Sequence, residues 1–350
     1  MEKSEILKKF LDRGLQLDFE TLDYFSRNPT QLDLFFNKIL NTTVPPTVTI
    51  SLIEELLKEK TEEDKTNSSF SKRHERKNIL SIDDVTLAVN RRYSFLRKLL
   101  DGRMELTNLI SLNRITPKVK KFSAIVIVKE KIESENSIIG EDDTGEHKFF
   151  FKAIDDMKQI LLDDTVGLIC ENDERSIVAR VVWPDMSMRR EVRKTSGDFY
   201  IFLGNGHIEA TQLNSQNIPY REIFFKDGKI QSNGKTVTSP GTMVIEKNVT
   251  CLVVSTEYLK KYPEFNTNQI GFLVSLLKRR NLNPTIDFST AGLNQDTFLI
   301  ETIPDIFVAF NCSATSSTNY KGTSIFTLPP ADVSRATWMI NLKTREAKVV

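Results

Sequence analysis

Apolar and polar positions recur with two different periods along this chain, and the change of period divides it. Over residues 1–60 the spacing is helical: Ile6, Leu7, Phe10 and Leu11 form one apolar stripe, and Leu32, Phe35, Phe36, Ile39 and Leu40 a second. Asn28-Pro29 with Gln31, and Ser51 with Glu54, resemble the capping boxes that open helices, so a small helical N-terminal module is expected. Residues 61–82 read as a charged linker, because Phe70 is the single strongly apolar residue between Thr61 and Lys77. A helical connector follows over 83–118. Its helix, near Asn90 to Asp101, places Tyr93, Leu96 and Leu100 on one face, puts Arg91, Arg92, Arg97 and Lys98 on the other sides, and ends at Gly102.

From Val119 to Trp183 the period changes to that of strands. Val119 to Lys131, Ser137 to Gly140, His147 to Lys152, Val166 to Cys170 and Ser176 to Trp183 read as five strands, with a short helix, Ile154 to Leu162, between the third and fourth. That order matches the OB-fold, a partly open barrel that binds single strands or protein loops, and residues 119–185 are assigned to it. Phe149, Phe150 and Phe151 alternate between core and outside, so the barrel reads more as a structural body than as an aromatic platform for bases.

Residues 186–350 hold further buried strands. Phe199 to Leu203 is strongly apolar and runs into Gly204-Asn205-Gly206-His207, a loop flexible enough for Asn205 and His207 to face one ion or phosphate, although a plain surface turn fits it too. Beyond it, Val249 to Val254, Ile303 to Phe310 and Gly322 to Leu328 read as strands, Gln269 to Arg280 as a helix, and Phe224 to Ile230 and Trp338 to Val350 as hairpins.

Composition narrows the class. Hydrophobic residues at 39% and charged residues at 27% are those of a soluble protein. The first ten residues lack the apolar core of a secretory signal, so a cytoplasmic location is expected. Cys170, Cys251 and Cys312 are too far apart for a Cys-x-x-Cys zinc module. The net charge of +1 hides a segregation: residues 72–131 carry 15 Lys/Arg against 6 Asp/Glu, a net of +9, and residues 132–175 carry 4 against 13, a net of −9. Lys72, Arg73, Arg91, Arg92, Lys120 and Lys121 are the candidate DNA contacts, but the adjoining acidic run argues against tight free-standing binding.

Several separated motifs together resemble the small subunit of the archaeal D-family DNA polymerases. They are Arg97 to Arg103 with Ile110-Ser111-Leu112-Asn113, Glu141 to Gly145, Trp183-Pro184-Asp185-Met186, Leu276 to Pro284, and Ile303 to Phe307. The resemblance implies a multidomain α+β protein: a helical N-terminal module, an OB-fold barrel, and a shortened calcineurin-like phosphoesterase α/β sandwich over 186–350. It also implies a partner, the large catalytic subunit, with DNA reached through the complex and no membrane. Leu277, Arg279 and Arg280, in the longest motif outside the metal loops, become the candidate partner contacts.

The family's metal motifs do not carry over. Matching its Ser-Asp-x-His places Asn205 at the Asp and His207 at the His; its intermediate histidine falls near Thr256; its Gly-His-x-His falls on Phe310-Asn311-Cys312-Ser313, so Asn311 and Ser313 replace imidazoles. Two divalent ions about 4 Å apart repel by roughly 17 kcal/mol at an effective dielectric near 20, and neutral side chains offset none of it. The expectation is a chain without metal or cofactor, acting as an accessory scaffold in DNA replication. The alternatives are a metal-dependent phosphoesterase or 3′-5′ exonuclease, and a free-standing single-strand-binding barrel.

Overall fold

The computed structural model describes residues 3–11, 15–17, 19–27, 32, 35, 47–48, 81–186, 188–204, 218–226, 228–233, 235–246, 248–285 and 296–350. The chain divides into two compact units, Met1–Thr66 and Asn67–Val350. It is an α+β protein, and none of its described helices is long and apolar enough to cross a membrane.

In the first unit, α1 (Lys3–Leu11) and α2 (Phe19–Arg27) bury one face each, and β1 (Gln16–Leu17) pairs in parallel with β2 (Thr47–Val48). Phe10, Phe25 and Phe35 meet with ring centroids 5.5 to 5.7 Å apart, the separation at which aromatic pairs attract beyond their burial. The second stripe is represented by Leu32 and Phe35, both buried; Phe36, Ile39, Leu40 and both expected capping boxes lie outside the described residues.

The second unit opens with α3 (Ile82–Asp101), eight residues longer at its start than the apolar face alone indicates. Ser81 and Asp84 set its origin by a reciprocal capping box, Ser81 Oγ accepting from Asp84 N at 3.2 Å and Asp84 Oδ2 from Ser81 N at 3.0 Å. Five strands follow: β3 (Lys121–Ile132), β4 (Ser137–Asp142), β5 (Gly145–Phe151), β6 (Thr165–Asn172) and β7 (Ser176–Val182), with the short α4 (Ile154–Lys158) between β5 and β6. They close in the order β3-β4-β5-β7-β6, β6 returning to β3, and β5 and β7 running parallel. Phe122, Val126, Phe149 and Leu168 fill the interior, and α3 lays Tyr93 and Leu100 against Ile125 and Val182 outside it. The barrel is tight at Gly140, where an added Cβ would lie 2.9 Å from Val126 Cβ.

Closure also explains the segregated charge. β3 lies between β4 and β6, so basic and acidic stretches meet across strands: Lys121 pairs with Glu171, Lys120 with Asp173, Lys129 with Glu141 and Glu146, and Arg97 with Asp143.

The remaining strands form two sheets. One has the order β11-β10-β9-β8-β17-β18, built from β8 (Tyr200–Gly204), β9 (Tyr220–Lys226), β10 (Lys229–Ser232), β11 (Lys235–Val237), β17 (Trp338–Asn341) and β18 (Ala347–Val349). The other has the order β12-β13-β14-β16-β15, from β12 (Gly241–Ile245), β13 (Val249–Ser255), β14 (Ile306–Phe310), β15 (Ser316–Tyr320) and β16 (Thr323–Leu328). Ile201, Leu203 and Ile223 of the first sheet share one core with Val253, Val308 and Phe326 of the second, so the two pack face to face. β13 and β14 are buried at nearly every position, which accounts for their continuous apolar runs. The outer face of the second sheet is covered by α5 (Pro263–Thr267) and α6 (Gln269–Arg279), through Phe265, Phe272, Leu273 and Leu276 against Val254, Phe307 and Ala309. Cys170, Cys251 and Cys312 are all buried and unbridged.

Candidate functional site

Three of the positions matched to metal motifs converge on one rim of the sandwich. Asn205 and His207 lie outside the described residues, but Gly204, which precedes them, is paired with Phe224 at the end of β8. Next to Phe224, Phe225 stacks on Phe310 with ring centroids 5.9 Å apart, so the ends of β8, β9 and β14 share that rim. Ser255 of β13 pairs with Phe310, so Thr256 and Asn311 leave neighbouring strands side by side.

Their side chains are committed to holding the rim. Thr256, fully buried, directs its hydroxyl at two carbonyls, Phe310 O at 2.9 Å and Asn311 O at 3.0 Å. Asn311 takes a left-handed turn, with φ of 66°, and donates its amide to Ser255 Oγ at 3.2 Å. Ser313 donates through both N and Oγ to Gln269 Oε1, at 2.6 and 2.8 Å. Thr256, Asn311 and Ser313 are neutral, and none brings the anionic charge that a pair of divalent cations requires. Among the described residues, no three of His, Cys, Asp and Glu cluster with metal-ligating geometry. These positions do not fit the two-metal centre of the phosphoesterases.

Arg92 is corrected from DNA contact to internal tie. It is 2% exposed, donating Nε to Asp296 Oδ2 at 2.8 Å and Nη1 to the carbonyls of Asn283 and Pro284 at 2.8 and 2.9 Å, so no phosphate reaches it. Of the other candidates, Lys120 and Lys121 are exposed on the barrel but paired with Asp173 and Glu171, and Arg91 is exposed on α3. Lys72 and Arg73 lie outside the described residues.

The candidate partner contacts are corrected in the same way. Leu277 is fully buried among the residues under α6. Arg279 is 6% exposed and spans the seam between sandwich and barrel: its Nε is 3.0 Å from Asp164 Oδ1, its Nη2 donates to Gln159 O, and its guanidinium lies 4.6 Å from the Trp183 ring centroid. Burial pushes the Asp164 carboxyl upward, against the pull of Arg279. Arg280 ends α6 in the left-handed region and donates to the carbonyls of Ile300 and Glu301; burial draws its pKa down to about 10. A basic run after an apolar helix therefore clamps the molecule internally.

Two carboxylates escaped the sequence reading. Asp164 is the buried partner of Arg279, and nothing in its local sequence distinguishes it from Asp163. Asp185, inside the Trp-Pro-Asp-Met motif, accepts from Tyr320 Oη at 2.5 Å and Lys321 Nζ at 2.6 Å, while its carbonyl accepts from Arg103 Nη1 at 2.7 Å. Its place at the end of the last barrel strand was the available signal, while its partners Arg103, Tyr320 and Lys321 lie far away in sequence.

No protein-family model matches the chain. A search of curated proteins likewise returns no match.

Proposed function

We propose that this chain is a non-catalytic accessory subunit of a D-family replicative DNA polymerase, a scaffold for the large catalytic subunit that reaches DNA through the complex. On this reading the barrel is an OB-fold and the sandwich a degenerate calcineurin-like phosphoesterase domain. The barrel order supports the first part: numbered from β3, the strands run 1-2-3-5-4 and return to 1, with a helix between the third and fourth. The observation that carries the reading is the joining of this barrel to a two-sheet sandwich through the very motifs that prompted the family resemblance. Asp164, Asp185, Arg279 and the Asn283-Pro284 carbonyls all lie on those ties. Neutral, internally bonded residues at the rim favour a scaffold over a nuclease.

The test is co-expression of the full-length protein with the D-family large subunit of the same source, followed by size-exclusion chromatography at micromolar concentration. Co-elution as one complex is expected. Separate elution of two folded proteins overturns the proposal.

A further inference from the structure

A cavity of about 310 Å³ opens beside the seam, between the end of the barrel and α6. Its apolar lining comes from Leu161 after α4, Trp183 at the end of β7 and Phe272 on α6. Arg279, held by Asp164, covers Trp183 with its guanidinium and fixes that wall. Lys158 and Lys278 also line it, without a carboxylate within ion-pairing distance among the described residues; Lys278 Nζ lies 5.7 Å from the Tyr320 ring centroid, and Glu264 is the one acid on the lining. Ile154 and Leu162, four residues to either side of Lys158 in sequence, are exposed apolar side chains.

We propose that this cavity is a docking site for a partner protein's peptide segment that inserts an aromatic or leucine side chain and sets acidic residues against Lys158 and Lys278. The volume lies at the lower end of the roughly 300–1,000 Å³ of ligand sites, which suits one or two side chains. Charge favours an acidic partner, since Lys158 and Lys278 bring two positive charges to a lining with the single acid Glu264. Two of the polar groups within reach are already bonded. Asn268 Oδ1 already accepts from Gly271 N at 3.0 Å, and Ser275 Oγ already donates to Phe272 O at 2.6 Å. A base would have to satisfy its edge donors and acceptors from Lys158, Gln159 and Lys278, whereas an apolar side chain has none to satisfy. The inference deepens the scaffold reading but stands apart from the polymerase assignment, because any partner with such a segment fulfils it.

The probe is a library of short random peptides displayed on phage, selected on immobilised full-length protein. Ser275→Trp, which fills the cavity, serves for counter-selection. The expected result is enrichment of peptides carrying an aromatic residue or leucine flanked by Asp or Glu, with binding lost on Ser275→Trp. A synthetic peptide of the selected sequence should bind Lys158→Glu, a surface variant that leaves the fold intact, about tenfold or more weakly by fluorescence anisotropy. No enrichment, enrichment of basic peptides, or equal retention by Lys158→Glu overturns the proposal. So does a labelled single-stranded oligonucleotide that binds the wild type and loses binding on Lys158→Glu while no acidic peptide binds. Failure to co-elute with the polymerase subunit leaves these outcomes untouched, so the two proposals fail separately.

Discussion

Arg279 and Asp164 form a buried ion pair across the seam between sandwich and barrel, with Arg279 Nε at 3.0 and 3.1 Å from the two carboxylate oxygens. Neither is more than 6% exposed, and Asp164 Oδ2 also accepts from Leu161 N at 2.7 Å. Removing one partner leaves the other charge buried alone, which typically costs about 3–5 kcal/mol. Arg279→Met is therefore expected to lower the urea midpoint by that much stability. The double variant Asp164→Leu with Arg279→Met should regain part of it, since no unpaired charge remains.

His147 gives the fold a pH dependence. It is half-buried on β5, its Nε2 2.8 Å from Ser176 Oγ, and burial lowers its pKa from the ordinary value. A base with a depressed folded pKa is neutral when folded and binds a proton more readily when unfolded. Its stabilising contribution is present above the unfolded pKa near 6.5 and is lost as pH falls from there through the folded pKa. The melting temperature should decline over that window, and His147→Gln should flatten the decline in a thermal-shift series.

Nuclease activity is expected to be absent. Purified protein with Mn²⁺ should release no nucleotide from single-stranded or mismatched DNA, because Thr256, Asn311 and Ser313 are neutral and bonded within the rim. Turnover that co-purifies with the protein and disappears in His207→Ala is the contrary result.

Gly140 is a packing requirement. Val126 is β-branched and buried, so a Cβ placed 2.9 Å from its own Cβ has no rotamer to turn away from. Gly140→Ala should cost about 1–3 kcal/mol by denaturant titration, and Val126→Ala in the same chain, which removes the Cγ2 that would lie 2.8 Å away but keeps the Cβ, should relieve only the Cγ2 share of that cost.

Much of the fold was legible because local pattern and burial agree. Each of the five barrel strands starts and stops within two residues of its apolar pattern, and the continuous runs at Val249 and Ile306 are interior strands. Pairing was harder, since the parallel contact of Phe150 and Phe151 with Ile177 and Val178 depends on a crossover that no local signal encodes. The site was misread where charge was equated with surface. Arg92 lies at i, i+4 and i+8 with Leu96 and Leu100, a spacing that places it on the buried face of α3, and that signal was available. Arg279 offered no such clue, because its partner Asp164 is 115 residues away.

The pairing of Lys120, Lys121 and Lys129 with acids on neighbouring strands governs how the barrel is approached as well as how it closes. Opposite charges a few ångströms apart present a dipole to anything farther off, and at physiological salt even that field is screened within about 8 Å. A phosphate backbone diffusing toward this face feels little pull until it arrives. Association there is set by collision and fit, and its on-rate should change little with ionic strength.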